Sequence, residues 1–206
     1  MPAKTGWPAV LHTALGVLLS LFALFHAYQN YPALEHPDAW LDRALRMPMT
    51  FGLGMAVVGA IGLHGVLGFV RWFQRRQAVA RGEAERDWGS TFQAVTGALV
   101  LGFVAFHVLQ LWPSGPGTQS SVREPYARLW RELGHPFALV IYVAGVTALA
   151  FHVGHGLSRA LARARIMLPN VVARAVGGAL GLVLLIVFAQ LVARFALGEA
   201  LIPALS

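Results

Sequence analysis

The 206-residue chain carries one histidine pattern twice, once in each half of a very apolar sequence. Residues 15–32 read LGVLLSLFALFHAYQNYP and residues 96–113 read TGALVLGFVAFHVLQLWP. In both, Gly stands ten residues before the His of a Phe-His pair (Gly16 and His26; Gly97 and His107), with Gln three residues after that His and Pro six after. A second pattern, GLHGVLGFVR (62–71) and AFHVGHGLSR (150–159), places Gly at plus four and Arg at plus seven of a His: His64, Gly68, Arg71 and His152, Gly156, Arg159. An ionisable side chain inside an apolar segment is costly and marks function by default. Four imidazoles paired by internal repetition read as two metal sites with two axial ligands each.

The elements that must position them are membrane spans. The chain is 57% hydrophobic, only 12% charged, and has a mean hydropathy of +0.61. A bilayer core about 30 Å thick needs roughly 20 apolar residues to cross it. Five segments qualify, with helices expected at 8–31, 50–75, 91–113, 136–160 and 171–197. The expected fold is an all-α integral membrane protein, a five-transmembrane-helix bundle in a single domain spanning 1–206. Residues 8–31 are read as a retained helix rather than a cleaved signal, because no small-residue cleavage pattern follows them. Between the third and fourth spans, a PSGPGTQSS stretch precedes SVREPYARLWREL, whose Tyr126, Leu129, Trp130 and Leu133 fall near one helical face. That pattern predicts an amphipathic interfacial helix over 121–133. Trp7, Trp40, Trp72, Trp88 and Trp112 stand near predicted span ends, where indole rings anchor at the headgroups.

The net charge of +7 does not indicate nucleic acid, because the positive residues sort by side. With five alternating spans, Lys4, Arg71, Arg75, Arg76, Arg81, Arg86, Arg159, Arg163, Arg165 and Arg174 share one side; Arg43, Arg46, Arg123, Arg128, Arg131 and Arg194 share the other. The positive-inside rule then predicts a cytoplasmic N-terminus and a multi-pass location in the cytoplasmic (inner) membrane. The absence of cysteine excludes thiolate-bound iron–sulfur clusters, CxxCH haem attachment and disulfides.

Depth arithmetic pairs the histidines. At about 1.5 Å rise per residue, His26 and His107 lie roughly 24–25 Å from the inner edge. His64 and His152 lie roughly 21–24 Å from the outer edge, so the two levels are about 15–18 Å apart. The expected pairs are His26 with His107 and His64 with His152. His155, one turn beyond His152, is the alternative fourth ligand; the plus-four Gly and plus-seven Arg favour His152. No Cys or carboxylate lies at these depths, which disfavours copper or zinc. Two neutral imidazoles from facing helices are what a low-spin haem iron takes on its two faces. The nitrogen of each ring that does not bind metal then needs an acceptor, expected as a carbonyl one turn earlier.

With these residues in view, the chain resembles the dihaem cytochrome b membrane anchor of succinate:quinone oxidoreductases, the succinate dehydrogenase and fumarate reductase family, in its single five-helix form. The residues that carry the resemblance are LHTALG (11–16), FQAVTGALVLGFVAFH (92–107) and VIYVAGVTALAFHVGHGL (140–157). It implies two b-type haems between the first four spans, a distal one on His26 and His107 and a proximal one on His64 and His152. Electrons would pass from an iron–sulfur subunit through proximal then distal haem to menaquinone or another quinone. Succinate oxidation itself would belong to a flavoprotein partner, so this chain is enzymatic only within the complex. The resemblance also assigns His12, Thr13, Gly16, Gln93 and Gly97 to cofactor binding. Arg71 and Arg159 are candidates to pair haem propionates, or are arginines that snorkel at the boundary.

Gln29, Asn30 and Gln110 are the quinone-binding candidates, with Glu35 and His36 as polar neighbours read as helix-capping or solvent-facing. Arg75, Arg76 and Arg81 either dock the iron–sulfur subunit or hold anionic membrane lipid. Some relatives carry a proton-transferring Glu two residues before the fourth ligand; here that residue is Ala150. The alternative reading is a dihaem cytochrome b of another membrane oxidoreductase, of the hydrogenase or formate dehydrogenase type. Many of those place two ligands on one helix, unlike the distribution here.

Overall fold

The computed structural model describes residues 6–46, 51–111, 123–163 and 169–198. Lys4, Trp112, the 113–121 stretch and Arg165 lie outside these described residues, as does the first part of the expected interfacial helix. Among the described residues the secondary structure is helical, with no strand. Five helices are long and apolar enough to cross a membrane: α1 (Trp7–Asn30), α3 (Phe51–Ala80), α4 (Trp88–Leu111), α6 (Pro136–Arg163) and α7 (Asn170–Leu197). Two shorter helices, α2 (Pro37–Arg46) and α5 (Arg123–Leu133), lie between spans.

Local chemistry sets the helix ends. Asp87 caps α4 by accepting the Gly89 N–H at 2.9 Å. Gly82 ends α3 and Gly198 ends α7, with φ of 73° and 76°, where a side chain would be strained. His36 caps α2 through Nδ1, which accepts the Ala39 N–H at 3.0 Å. Helix α2 lies between the first two expected spans, where no helix is expected from the sequence. Asp38 in its first turn and Arg43 and Arg46 in its last complement the helix dipole.

Helices α1 and α3 run antiparallel, since Arg71 reaches the Ala9 carbonyl while His64 reaches that of His12. Helices α4 and α6 do the same: Gln93 meets His152 at one end and Gln110 meets Tyr142 at the other. These four surround a central space. Helix α7 backs the bundle and packs most closely on α6. Small residues permit that approach: a Cβ at Gly177 would collide with Ser158 and the Gly154 carbonyl, and one at Gly181 would lie 2.7 Å from the Ala150 carbonyl. Ser158 uses its own hydroxyl on the Gly154 carbonyl at 2.8 Å, so no polar group is stranded there. The apolar core near the α5 end gathers Leu34, Leu133, Tyr142, Val146, Leu191 and Phe195.

Gly177→Ala is predicted to lower stability by at least about 1–3 kcal/mol, because the obstruction is backbone that cannot rotate away. Gly178→Ala, whose Cβ meets nothing within 4 Å, is predicted to leave stability unchanged. Thermal unfolding of the two variants in the same detergent checks the difference.

Candidate functional site

The space between α1, α3, α4 and α6 is a cavity of about 1120 Å³, closed in part by α7. It exceeds the roughly 300–1,000 Å³ that suits one drug-sized ligand. His12, Thr13, Gly16, His26, His64, Arg71, Gln93, Gly97, His107, His152 and Arg159 all line it. So does Asn30; Gln29, Gln110 and His155 do not.

Two pairs of imidazoles face each other across this space. The His26 and His107 ring centroids are 6.1 Å apart with planes at 78°, and those of His64 and His152 are 6.2 Å apart at 88°. Metal–imidazole bonds are about 2.0–2.1 Å, and a ring nitrogen sits about 1.1 Å from its centroid, so two imidazoles on opposite sides of one metal have centroids about 6 Å apart. Both pairs have that spacing. Among the described residues, no three His, Cys, Asp or Glu side chains converge as a metal-binding group.

Every hydrogen bond these four rings make among the described residues goes through Nδ1. His64 Nδ1 lies 3.1 Å from the His12 carbonyl on α1. His152 Nδ1 lies 3.3 Å from the Thr96 hydroxyl and 3.2 Å from Gln93 Nε2, both on α4. His107 Nδ1 meets the Tyr142 hydroxyl of α6 at 2.9 Å. Asn30 donates Nδ2–H to the His26 carbonyl at 2.8 Å and passes His26 Nδ1 at 3.4 Å. None uses a carbonyl one turn earlier on its own helix, which corrects that expectation. Such carbonyls already accept ladder bonds, and a ring aimed across the bundle turns Nδ1 toward its neighbour. For His64, His107 and His152, a neutral imidazole with Nδ1–H held by an acceptor leaves the Nε2 lone pair for the cavity; beside His26 Nδ1 stands the Asn30 NH2, a donor.

The repeat has a steric meaning that the sequence alone did not disclose. A Cβ on Gly16 would lie 3.0 Å from His64 Cε1, and one on Gly97 would lie 2.8 Å from His152 Cε1. A Cβ on Gly68 would lie 3.0 Å from His12 Nε2, and one on Gly156 would lie 3.0 Å from Gln93 Nε2. Each glycine of the motif therefore seats a polar side chain of the adjacent helix. His12 additionally stacks on His64, with centroids 4.2 Å apart.

One end of the cavity is cationic. Arg71, Arg75, Arg159 and Arg163 line it, together with Trp72. Asp87 offsets part of this charge, at 3.4 Å from Arg159 and 3.9 Å from Arg75. Burial pushes the Asp87 carboxyl up, but Arg159, the Gly89 amide and Arg75 outweigh it and hold it below the ordinary carboxylate range. Two buried donors here, Trp72 Nε1 and Arg75 Nε, have no partner among the described residues. Buried donors facing a cavity call for an acceptor within it.

The chain is similar to a succinate dehydrogenase cytochrome b558 subunit. That protein, from Bacillus subtilis (strain 168), is 27% identical over 152 residues, 71% of this chain and 74% of its relative. No family model matches the chain. No solved structure matches it.

Sequence reasoning missed Thr96, Tyr142 and Trp40, which donates Nε1–H to Asn30 at 3.0 Å. A signal existed for Tyr142: it stands ten residues before His152, the offset that separates Gly16 from His26. His155 Nδ1 donates to Gln93 Oε1 at 2.8 Å, and so supports the residue beside His152.

Gly97→Ala is predicted to displace the His152 ring and lower stability by about 1–3 kcal/mol. Gly102→Ala, on the same helix with nothing within 4 Å of its Cβ, is the control predicted to be neutral. Thermal unfolding in detergent compares the two.

Proposed function

We propose that the chain is the membrane anchor and electron-transfer subunit of a succinate:quinone oxidoreductase, holding two b-type haems. The observation that carries this reading is the pair of facing imidazole couples, each with the spacing of two ligands on one metal, inside one large apolar cavity. The similarity to the cytochrome b558 subunit supports it independently.

The donor set fits the group. His64 and His152 would hold the proximal haem and His26 and His107 the distal one, each through a neutral imidazole whose other nitrogen is bonded to the protein or lies beside one of its amides. When bound, haem supplies one-electron transfer, and two in series connect the two sides of a bilayer. The cationic end matches the anionic propionates: Arg71 and Arg159 offer charge-assisted bonds, and Trp72 Nε1 and Arg75 Nε are donors in want of acceptors. Gly16 and Gly97 keep the His64 and His152 rings seated, and Phe22, Phe103 and Phe188 pack around the distal pair and exclude water.

A flavoprotein and an iron–sulfur subunit would dock at the arginine-rich end, which the distribution of charge assigns to the cytoplasm. A quinone, menaquinone in the family's dihaem members, would bind toward the opposite end. Of the three residues expected to bind it, Asn30 and Gln110 already have protein partners, which favours a role in supporting the distal ligands. Gln29 also has a partner and does not line the cavity.

A replacement series tests the pairing. His26→Ala and His107→Ala are predicted to remove the same haem, and His64→Ala and His152→Ala the other. His155→Ala is predicted to retain both. Reduced-minus-oxidised spectra of each variant, with redox titration to tell the two haems apart, check this. Loss of a haem in His155→Ala with none lost in His152→Ala overturns the fourth ligand. Co-purification of a flavin-bearing, succinate-oxidising partner separates this reading from a hydrogenase or formate dehydrogenase cytochrome.

A further inference from the structure

The hydrogen-bond paths behind the four histidines differ in where they end. His64 ends at once on a backbone carbonyl, and His152 on the Thr96 hydroxyl, which donates to backbone carbonyls, and on the Gln93 amide, whose oxygen accepts from the imidazole of His155. Behind His26, Asn30 is anchored by the Trp40 indole. The path behind His107 is longer and ends on a carboxylate. It runs from His107 Nδ1 to the Tyr142 hydroxyl (2.9 Å), from there to Gln110 Oε1 (3.0 Å), and from Gln110 Nε2 to Glu132 Oε2 (3.2 Å), crossing α4, α6 and α5.

The direction of each bond follows from the last one. A carboxylate has only acceptors, so Gln110 must turn its NH2 toward Glu132. That leaves Gln110 Oε1 toward Tyr142, an acceptor that compels the phenol to donate. With its proton so committed, the Tyr142 oxygen can only accept from His107, which fixes the proton of that imidazole on Nδ1. The reversed chain would put the amide oxygen against the carboxylate with no proton between them. Tyr142 is buried, and Arg128 ties α5 to α4 by donating to the Gln110 carbonyl at 3.2 Å.

We propose that Glu132 is a remote positioning residue for His107: its charge sets the direction of the Gln110–Tyr142 chain, and thereby holds His107 in the tautomer that presents the Nε2 lone pair to the cavity. The inference rests on reading His107 as a ligand of the distal haem. A bond chain that ends on an anion makes the imidazole a stronger electron donor, which favours the oxidised iron. Glu132 thus lowers the potential of the distal haem and leaves the proximal one alone.

Spectroelectrochemical titration of the purified, haem-containing chain tests this in Tyr142→Phe, Glu132→Gln and Glu132→Asp. The first two are expected to move one of two b-type transitions to more positive potential, the one absent in His26→Ala. The other transition stays in place, and Glu132→Asp returns the shifted one toward the wild-type value. Glu132 is half-buried on a peripheral helix, so Glu132→Gln carries the test if Tyr142→Phe does not assemble. Two haems with both potentials unchanged in Glu132→Gln overturn the inference but leave the dihaem reading standing. A shift confined to the transition absent in His64→Ala also overturns it. A wild-type chain without b-type haem overturns both.

Discussion

An imidazole inside an apolar bundle must have its two nitrogens treated differently, and the rest of this structure follows from that requirement. One nitrogen needs a protein partner, because a buried polar group left unpaired is expensive. The other must stay free if it is to bind anything in the cavity. Among the described residues the four rings use only Nδ1 for hydrogen bonds to the protein, so on all four Nε2 is the nitrogen left for the cavity. The partners come mostly from the neighbouring helix, which makes the site a property of helix pairs. Helix rotation and helix depth are thereby fixed together, and for His64, His107 and His152 an acceptor at Nδ1 fixes the tautomer as well.

The internal repeat is the means by which a short chain builds this twice. Gly16 and Gly97 seat rings, Gly68 and Gly156 seat the side chains of His12 and Gln93, and the same crossing of two antiparallel helices recurs in α1 with α3 and in α4 with α6. The symmetry fails where Tyr142 stands. The corresponding residue ten before His64 is Gly54, whose Cβ would meet nothing within 4 Å. One half of the distal level therefore has a phenol and a path to a carboxylate, and the other has Asn30 held by the Trp40 indole. The levels are similar in their rings and different in what stands behind them.

Much of this was legible in the sequence. Apolar runs of the right length mark all five spans, because the bilayer demands them whatever the tertiary detail. Rise per residue brings His26 to the level of His107 and His64 to that of His152, since depth along a helix depends only on counting. Partners for Nδ1 were not legible. Tyr142, Thr96 and the His12 carbonyl lie 35 to 56 residues from the rings they meet, and only the rotation of each helix about its axis brings them there. Helix α2 was missed because its ten residues are too short and polar for a span, although its charges follow the helix dipole. The resemblance assigns Gly16 and Gly97 to cofactor binding, while their neighbours are the individual rings of His64 and His152.

The central claim is that each facing pair of imidazoles holds one haem. The most direct measurement is the ratio of extractable b-type haem to polypeptide in the purified chain, from the absorption of its pyridine complex. Two haems per chain are predicted. A value of zero, or a single haem that persists in both His26→Ala and His64→Ala, contradicts the claim.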